Sequence, residues 1–168
     1  MLKLVSILQE DVQSHQIFCD MDGVLTDFEG EFQKITGKTS KDVAQSSTQQ
    51  EFWSHIDAAG ITFWSHMQWM PGGKILWEYI KVYNPVILSA PTREESSRVG
   101  KRIWVQRELP GEKLILKPAY EKKLFASPVS ILIDDYQKNI EEWESAGGIG
   151  IKHISAPNTI KQLKQLGL

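Results

Sequence analysis

The amino-acid sequence predicts an α/β fold: a doubly wound, parallel five-stranded sheet with a small helical cap inserted after the first strand. Three observations support this. Five short apolar runs alternate with longer amphipathic stretches, the alternation that builds parallel strands joined by right-handed crossovers. About sixty residues separate the first run from the second, roughly twice what a crossover helix requires. Acidic or hydroxyl residues stand directly behind three of the runs, and an open parallel sheet binds its ligands outside the carboxyl ends of its strands.

The opening residues 1–14, MLKLVSILQEDVQS, read either as a short amphipathic helix or as a loose lead-in. Their apolar stretch is too short to span a membrane and no small-residue cleavage pattern follows, so a cytoplasmic protein is expected. The first strand is 16–19, and Thr26-Asp27 builds the turn behind it by local hydrogen bonding. Residues 28–70 form the cap, polar in the middle (TGKTSKDVAQSSTQQ) and aromatic at the end (EFWSHIDAAGITFWSHMQW). Pro71-Gly72-Gly73 marks the return to the core domain, which comprises 1–27 and 71–168. A helix in GKILWEYIKVY leads to the second strand at 86–88. Residues 92–109 then form a helix with a Thr-x-x-Glu capping signal, ending before Pro110-Gly111, with Val99, Ile103 and Leu109 expected inward. The third and fourth strands fall at 113–116 and 131–133. The helix at 136–146 buries Ile140 and Trp143 and stops at Gly147-Gly148, the fifth strand is 148–151, and Ile160, Leu163 and Leu166 give the tail helical spacing.

The chain has 168 residues, 41% apolar and 24% charged, with a formal charge of −2. That is a soluble globular composition of single-domain size, with no electrostatic reason for tight binding to duplex nucleic acid. The single cysteine, Cys19, leaves no pair for an internal disulfide and no thiolate cluster for zinc. Inside an apolar run it reads as an inert core thiol.

Strand one ends in Asp20-Met21-Asp22, strand two in Ser89-Ala90-Pro91-Thr92 and strand four in Asp134-Asp135. Because all strands of a parallel sheet end on one edge, four carboxylates and a hydroxyl converge there although more than a hundred residues of chain separate the first from the last. Carboxylates so gathered need a cation. An oxygen-only set suits Mg²⁺, which keeps several waters and takes substrate phosphate in its remaining positions. Zinc would want His or Cys. A Ca²⁺ loop running from Asp20 through Asp22 to Glu31 fails, because Val24 and Leu25 stand where a ligand and a glycine are required.

FCDMDGVLTDF, ILSAPT and ILIDDYQKNI, in that order, resemble the first, second and fourth motifs of the haloacid dehalogenase (HAD) superfamily, whose core is a Rossmann-like sheet. FWSHMQWMPGGKILWEYI and GKRIWVQRELPG further resemble the 5′(3′)-deoxyribonucleotidase branch and related small virus-encoded proteins. The resemblance implies that Asp20 attacks phosphorus to give an aspartyl phosphate, and that Asp22 protonates the leaving oxygen and then activates water. It implies Mg²⁺ held by the Asp20 carboxylate, the Asp22 main-chain carbonyl and the Asp134/Asp135 pair, and Ser89 hydrogen-bonded to a phosphate oxygen. A third-motif lysine is expected shortly before the Asp-Asp pair, which allows Lys122 or Lys123, with Lys117 as an outside alternative.

Ala90 and Arg93 follow the second motif closely enough to touch phosphate or nucleotide, although a helix-terminal arginine also explains Arg93. Among the cap aromatics Phe52, Trp53, Phe63, Trp64 and Trp69, most are needed for the cap's own core; one or two, with Phe63 and Trp64 as the candidates, line the pocket and stack on a base. His55 and His66 read as polar cap residues. The expected function is a Mg²⁺-dependent phosphomonoesterase of a small phosphorylated substrate, a (deoxy)nucleoside monophosphate. The alternatives are a phosphatase of nucleic-acid 3′-ends or sugar phosphates, and a catalytically silent binding protein on the same fold.

Overall fold

The structure, a computed structural model, describes residues 15–168; the expectation for the opening segment lies outside the described residues. Five strands, β1 (Gln16–Cys19), β2 (Val86–Ser89), β3 (Leu114–Leu116), β4 (Ser130–Asp134) and β5 (Ile149–Lys152), form one sheet in the order β3-β2-β1-β4-β5. All neighbours are parallel. The chain steps outward from β1 to β3 and then returns to lay β4 on the other flank of β1. The strand order thus reverses at β1, and a crevice at the sheet's carboxyl edge is expected there. β1, β2 and β4 are buried nearly throughout, as their unbroken apolar runs require of strands covered on both faces.

The insertion comprises four helices, α1 (Phe28–Thr36), α2 (Ser40–Ser46), α3 (Gln49–Ala59) and α4 (Ile61–His66). Asp27 caps α1 by accepting from the Gly30 amide at 2.8 Å, and Thr48 with Glu51 forms a capping box on α3. The chain leaves and re-enters the core through a narrow neck, where the Asp27 amide donates to the Gln68 carbonyl and the Met70 amide to that of Leu25, each at 2.8 Å. Phe28, Phe32, Phe52 and Phe63 fill the cap, with Phe32 stacked on Phe52 at 4.8 Å.

Helices α5 (Gly73–Ile80), α6 (Glu95–Glu108), α7 (Gln137–Ser145) and α8 (Ala156–Gln165) cover the sheet. Ile140 and Trp143 are buried, and the chain turns away from α7 through Gly147 at φ 92°. Cys19 is fully buried in the core.

Helix α6 differs from the sequence expectation. It begins at Glu95, and the Thr92 amide donates to Ser97 Oγ at 2.9 Å, so no Thr92–Glu95 capping box forms. Ile103 is 44% exposed and Val99 only half-buried. The inward face instead carries Ser97, Gly100, Lys101, Trp104 and Val105. The physical reason is its neighbour: α6 lies against α4 of the cap as well as against the sheet. Gly100 has no side chain where α4 crosses, and a Cβ built there would stand 2.4 Å from Trp64 Cβ. Trp104 Nε1 donates to the Met67 carbonyl, Arg107 to the Ser65 carbonyl and Trp69 Nε1 to Glu108, each at 2.8 Å. The last cap helix is therefore fastened along the length of a core helix.

Candidate active site

The turn after β1 sets the site. Met21, Val24 and Leu25 are fully buried and anchor it, and the Met21 carbonyl accepts from the amides of Leu25 and Thr26 at 2.8 Å. With Met21 pointing into the core, Asp20 and Asp22 are left at the rim. Gly23 adopts φ 76°, and a Cβ there would fall 2.1 Å from Asp135 Oδ2. Glycine is required twice over, for the positive φ and for the approach of the two rim segments.

Asp20, Asp134 and Asp135 each offer a carboxylate oxygen within 4.8 Å of the others. Asp20 and Asp134 are buried whereas Asp135 is exposed. Burial pushes the Asp20 carboxyl up to about 7; Lys122 opposes the rise, and Asp134 and Asp22 add to it. Asp135, exposed as a residue, has its carboxyl pushed up to about 6 by desolvation where it lies against the rim and by Asp134. Negative charge gathered in poor solvent is the condition a cation relieves, and the donors are all hard oxygens of the kind Mg²⁺ takes. The residues present thus fit a divalent metal. Asp134 is held by the protein's own donors: Oδ1 accepts from the Tyr136 amide at 2.8 Å, and Oδ2 from Lys122 at 2.7 Å and Asn139 at 2.9 Å, which leaves Oδ1 with acceptor capacity.

The two candidate lysines separate cleanly. Lys122 is 2% exposed and bridges Asp20 Oδ1 at 3.0 Å and Asp134 Oδ2 at 2.7 Å. Burial alone would lower its affinity for the proton, but the two carboxylates hold it above the ordinary lysine value. Lys123 points away, exposed, 3.7 Å from Glu142. The segment Ala119–Phe125 is a 3-10 turn, in which neighbouring side chains stand a third of a turn apart. Lys117 pairs with Glu121 at 3.2 Å. The expectation that left Lys123 open is corrected by this geometry.

A second buried lysine was not expected from the sequence. Lys101 is fully buried on α6, with Nζ bonded to Asp22 Oδ2, 3.0 Å from Ser89 Oγ and 4.9 Å from the Trp64 ring centroid. Asp22 Oδ1 accepts from Thr26 Oγ1 at 3.0 Å. The available signal is the stripe Ser97, Gly100, Lys101, which is small or polar at helical spacing and so reads as a solvent face until the cap is placed on it.

From Asp22 a cavity of about 670 Å³ opens between cap and core, walled by Phe28, Trp53 and Trp64 and by the loop carrying Ala90, Pro91, Thr92 and Arg93. Trp64 and Ala90 are among the lining residues, Trp64 with only 2% of its surface exposed. Phe63 is not: it is fully buried in the cap, edge-on to Phe28 at 5.3 Å and to Trp64 at 4.9 Å. Adjacent residues on a helix point about 100° apart, so Trp64 meets the cavity while Phe63 fills the cap core. Trp53 replaces it at the wall. His55 and His66 are exposed on the cap, as expected.

No family model and no curated protein sequence matches the chain. Solved structures do. A HAD-superfamily hydrolase from Ehrlichia chaffeensis superposes with a TM-score of 0.58 at 13% identity, over 91% of this chain and 97% of that one. A haloacid dehalogenase-like family hydrolase from Xanthomonas campestris gives 0.58 at 11% identity, over 94% of each chain. A HAD family hydrolase from Deinococcus radiodurans, solved with bound phosphate and sodium, gives 0.51 at 14% identity, over 81% and 79%. Identities this low speak for the fold alone, and by that measure, together with its parallel sheet of order β3-β2-β1-β4-β5, the chain has the fold of the haloacid dehalogenase superfamily of hydrolases.

Proposed function

We propose that the protein is a Mg²⁺-dependent phosphomonoesterase that works through an aspartyl phosphate on Asp20 and takes a (deoxy)nucleoside monophosphate. The observation that carries this reading is the pairing of a buried Asp20, held by Lys122 beside Asp134 and Asp135, with a cavity that begins at Asp22 and is walled by aromatic rings. Asp20 and Asp135 would hold the metal by carboxylate oxygens and Asp22 by its main-chain carbonyl, with Asp134 fixing Lys122. When bound, the metal supplies positive charge that offsets the repulsion between nucleophile and phosphate.

The remaining steps belong to the chain's own groups. An Asp20 oxygen attacks phosphorus, the ester bond breaks, and Asp22 delivers a proton to the departing oxygen. Asp22 then takes a proton from the water that cleaves the acyl phosphate. Lys122 and Lys101 approach the phosphate from two sides and stabilise charge that grows on its equatorial oxygens. In the free protein Lys101 bonds Asp22 and Ser89; an entering phosphate takes over those bonds and releases Asp22 for proton transfer. The nucleotide assignment rests on the aromatic wall and on the two stretches that resemble the deoxyribonucleotidase branch.

Phosphate release across nucleoside monophosphates, sugar phosphates and 3′-phosphorylated oligonucleotides tests the reading. Nucleoside monophosphates should be turned over fastest, with activity requiring Mg²⁺ and suppressed by EDTA and by excess Ca²⁺. Calcium takes more ligands at longer distance and can occupy both oxygens of a carboxylate. Full activity in chelated buffer overturns the metal assignment, and no phosphate release from any member overturns the enzyme.

A further inference from the structure

The cavity wall on the cap side has a chemistry of its own. Gln49, Gln50, Trp53 and Asp57 line the cavity from α3; Gln50, Trp53 and Asp57 follow at intervals of three and four, and Gln49 stands four before Trp53, so all lie within about a third of the helix circumference. The adjoining face, with Phe52, Ile56 and Ala59, packs into the cap core. Trp53 is braced edge-on by Phe52 at 5.2 Å and remains 39% exposed. Thr92 stands in the facing loop, and its buried Oγ1 is without a hydrogen-bond partner among the described residues.

Charge narrows what can fill this space. Asp57 and Glu94 line it with only Arg93 to offset them, while Asp22 is already engaged by Lys101. A leaving group with a second phosphate or a carboxylate would meet two acceptor-only side chains. A neutral ring rich in N–H groups would meet complementary ones.

Resting on the nucleotide reading above, we propose that Asp57 is a specificity-determining residue and that the base the cavity selects is guanine. A base stacked on Trp53 would present its edge one helical turn along α3, where Asp57 also lines the cavity. A carboxylate accepts two parallel hydrogen bonds. Of the common bases, guanine places two adjacent donors on that edge, N1–H and the N2 amine. Adenine and cytosine each put a ring acceptor beside the amine, and uracil and thymine flank their single N–H with carbonyls. Hypoxanthine keeps the N1–H and lacks the amine, so it ranks between guanine and adenine.

The test is kcat/KM for GMP, IMP, AMP, UMP and glucose 6-phosphate, measured on the full chain and on Asp57→Asn, whose melting temperature should match the parent because the site is exposed. The parent should favour GMP over AMP and UMP by about tenfold or more, with IMP between, and the GMP/AMP ratio should approach one in the variant. Nucleotide turnover without a guanine preference, or a preference that survives Asp57→Asn, overturns this inference and leaves the nucleotide reading standing. Turnover of glucose 6-phosphate with no nucleotide turned over overturns both.

Discussion

Replacing Gly100 by alanine should destabilise the protein, although in an open helix it would do the reverse. Gly100 lies in the interior of the 14-residue helix α6, where alanine is ordinarily better than glycine by about 0.8–1 kcal/mol. Here the new Cβ would sit 2.4 Å from Trp64 Cβ, 2.8 Å from the Ile61 carbonyl and 3.1 Å from the Ser65 amide. Carbon atoms pack at roughly 3.5–4.0 Å, and none of these three atoms is the tip of a flexible side chain. Helix α4 must therefore retreat by about 1 Å. Overpacking of this kind costs about 1–3 kcal/mol; set against a helix gain of about 1 kcal/mol, the net loss runs up to about 2 kcal/mol. For a chain of this length that lowers the melting temperature by up to about 8 °C. The same retreat carries the Trp64 ring away from Lys101, and a displacement of about 1 Å at a site costs turnover roughly a hundredfold. Urea unfolding and kcat on the best substrate read both effects. A variant more stable than the parent with unchanged turnover would show that α4 is not clamped to α6.

Lys122→Ala should lose roughly a hundredfold or more in turnover, whereas Lys123→Ala, whose side chain faces Glu142, should stay close to the parent; equal small losses in steady-state assays would remove Lys122 from the site. Folding stability should depend on pH through His153, which is buried against Thr159 Oγ1 at 2.8 Å and held below the ordinary histidine value by burial and by Lys152. The unfolded chain takes up a proton that the folded chain resists, so this contribution is complete above about pH 6.5 and declines as pH falls through and below it. Urea midpoints between acidic and neutral pH should fall less steeply in His153→Gln, and identical slopes for parent and variant would contradict the assignment.

The strands were legible because buried parallel strands are written as unbroken apolar runs, and the rim followed from them: once Gln16–Cys19 and Ser130–Asp134 are neighbours, Asp20 and Asp134 must meet. Lys122 was legible only as one of a pair, since the choice between it and Lys123 depends on how a 3-10 turn faces the sheet. Lys101 is hidden in the sequence because hydrophobicity points to Val99 and Ile103 as the inward face of α6. That rule fails for a helix packed against a polar site and a cap, where glycine and serine face inward to let another helix approach. Phe63 was misplaced for a related reason. A cap whose polar middle has no clear period gives no register, so two adjacent aromatics could not be assigned to core and cavity before the helix α4 was in place.

With Asp20 as nucleophile, phosphate passes through a covalent bond to its carboxylate. Rapid quenching of the parent during turnover of a substrate labelled in its phosphate, followed by peptide mapping, measures this directly. Label trapped by the acid quench should appear on the peptide containing Asp20 and be absent from Asp20→Asn, which should also lose turnover. Label on another residue, or full turnover by Asp20→Asn, would contradict it.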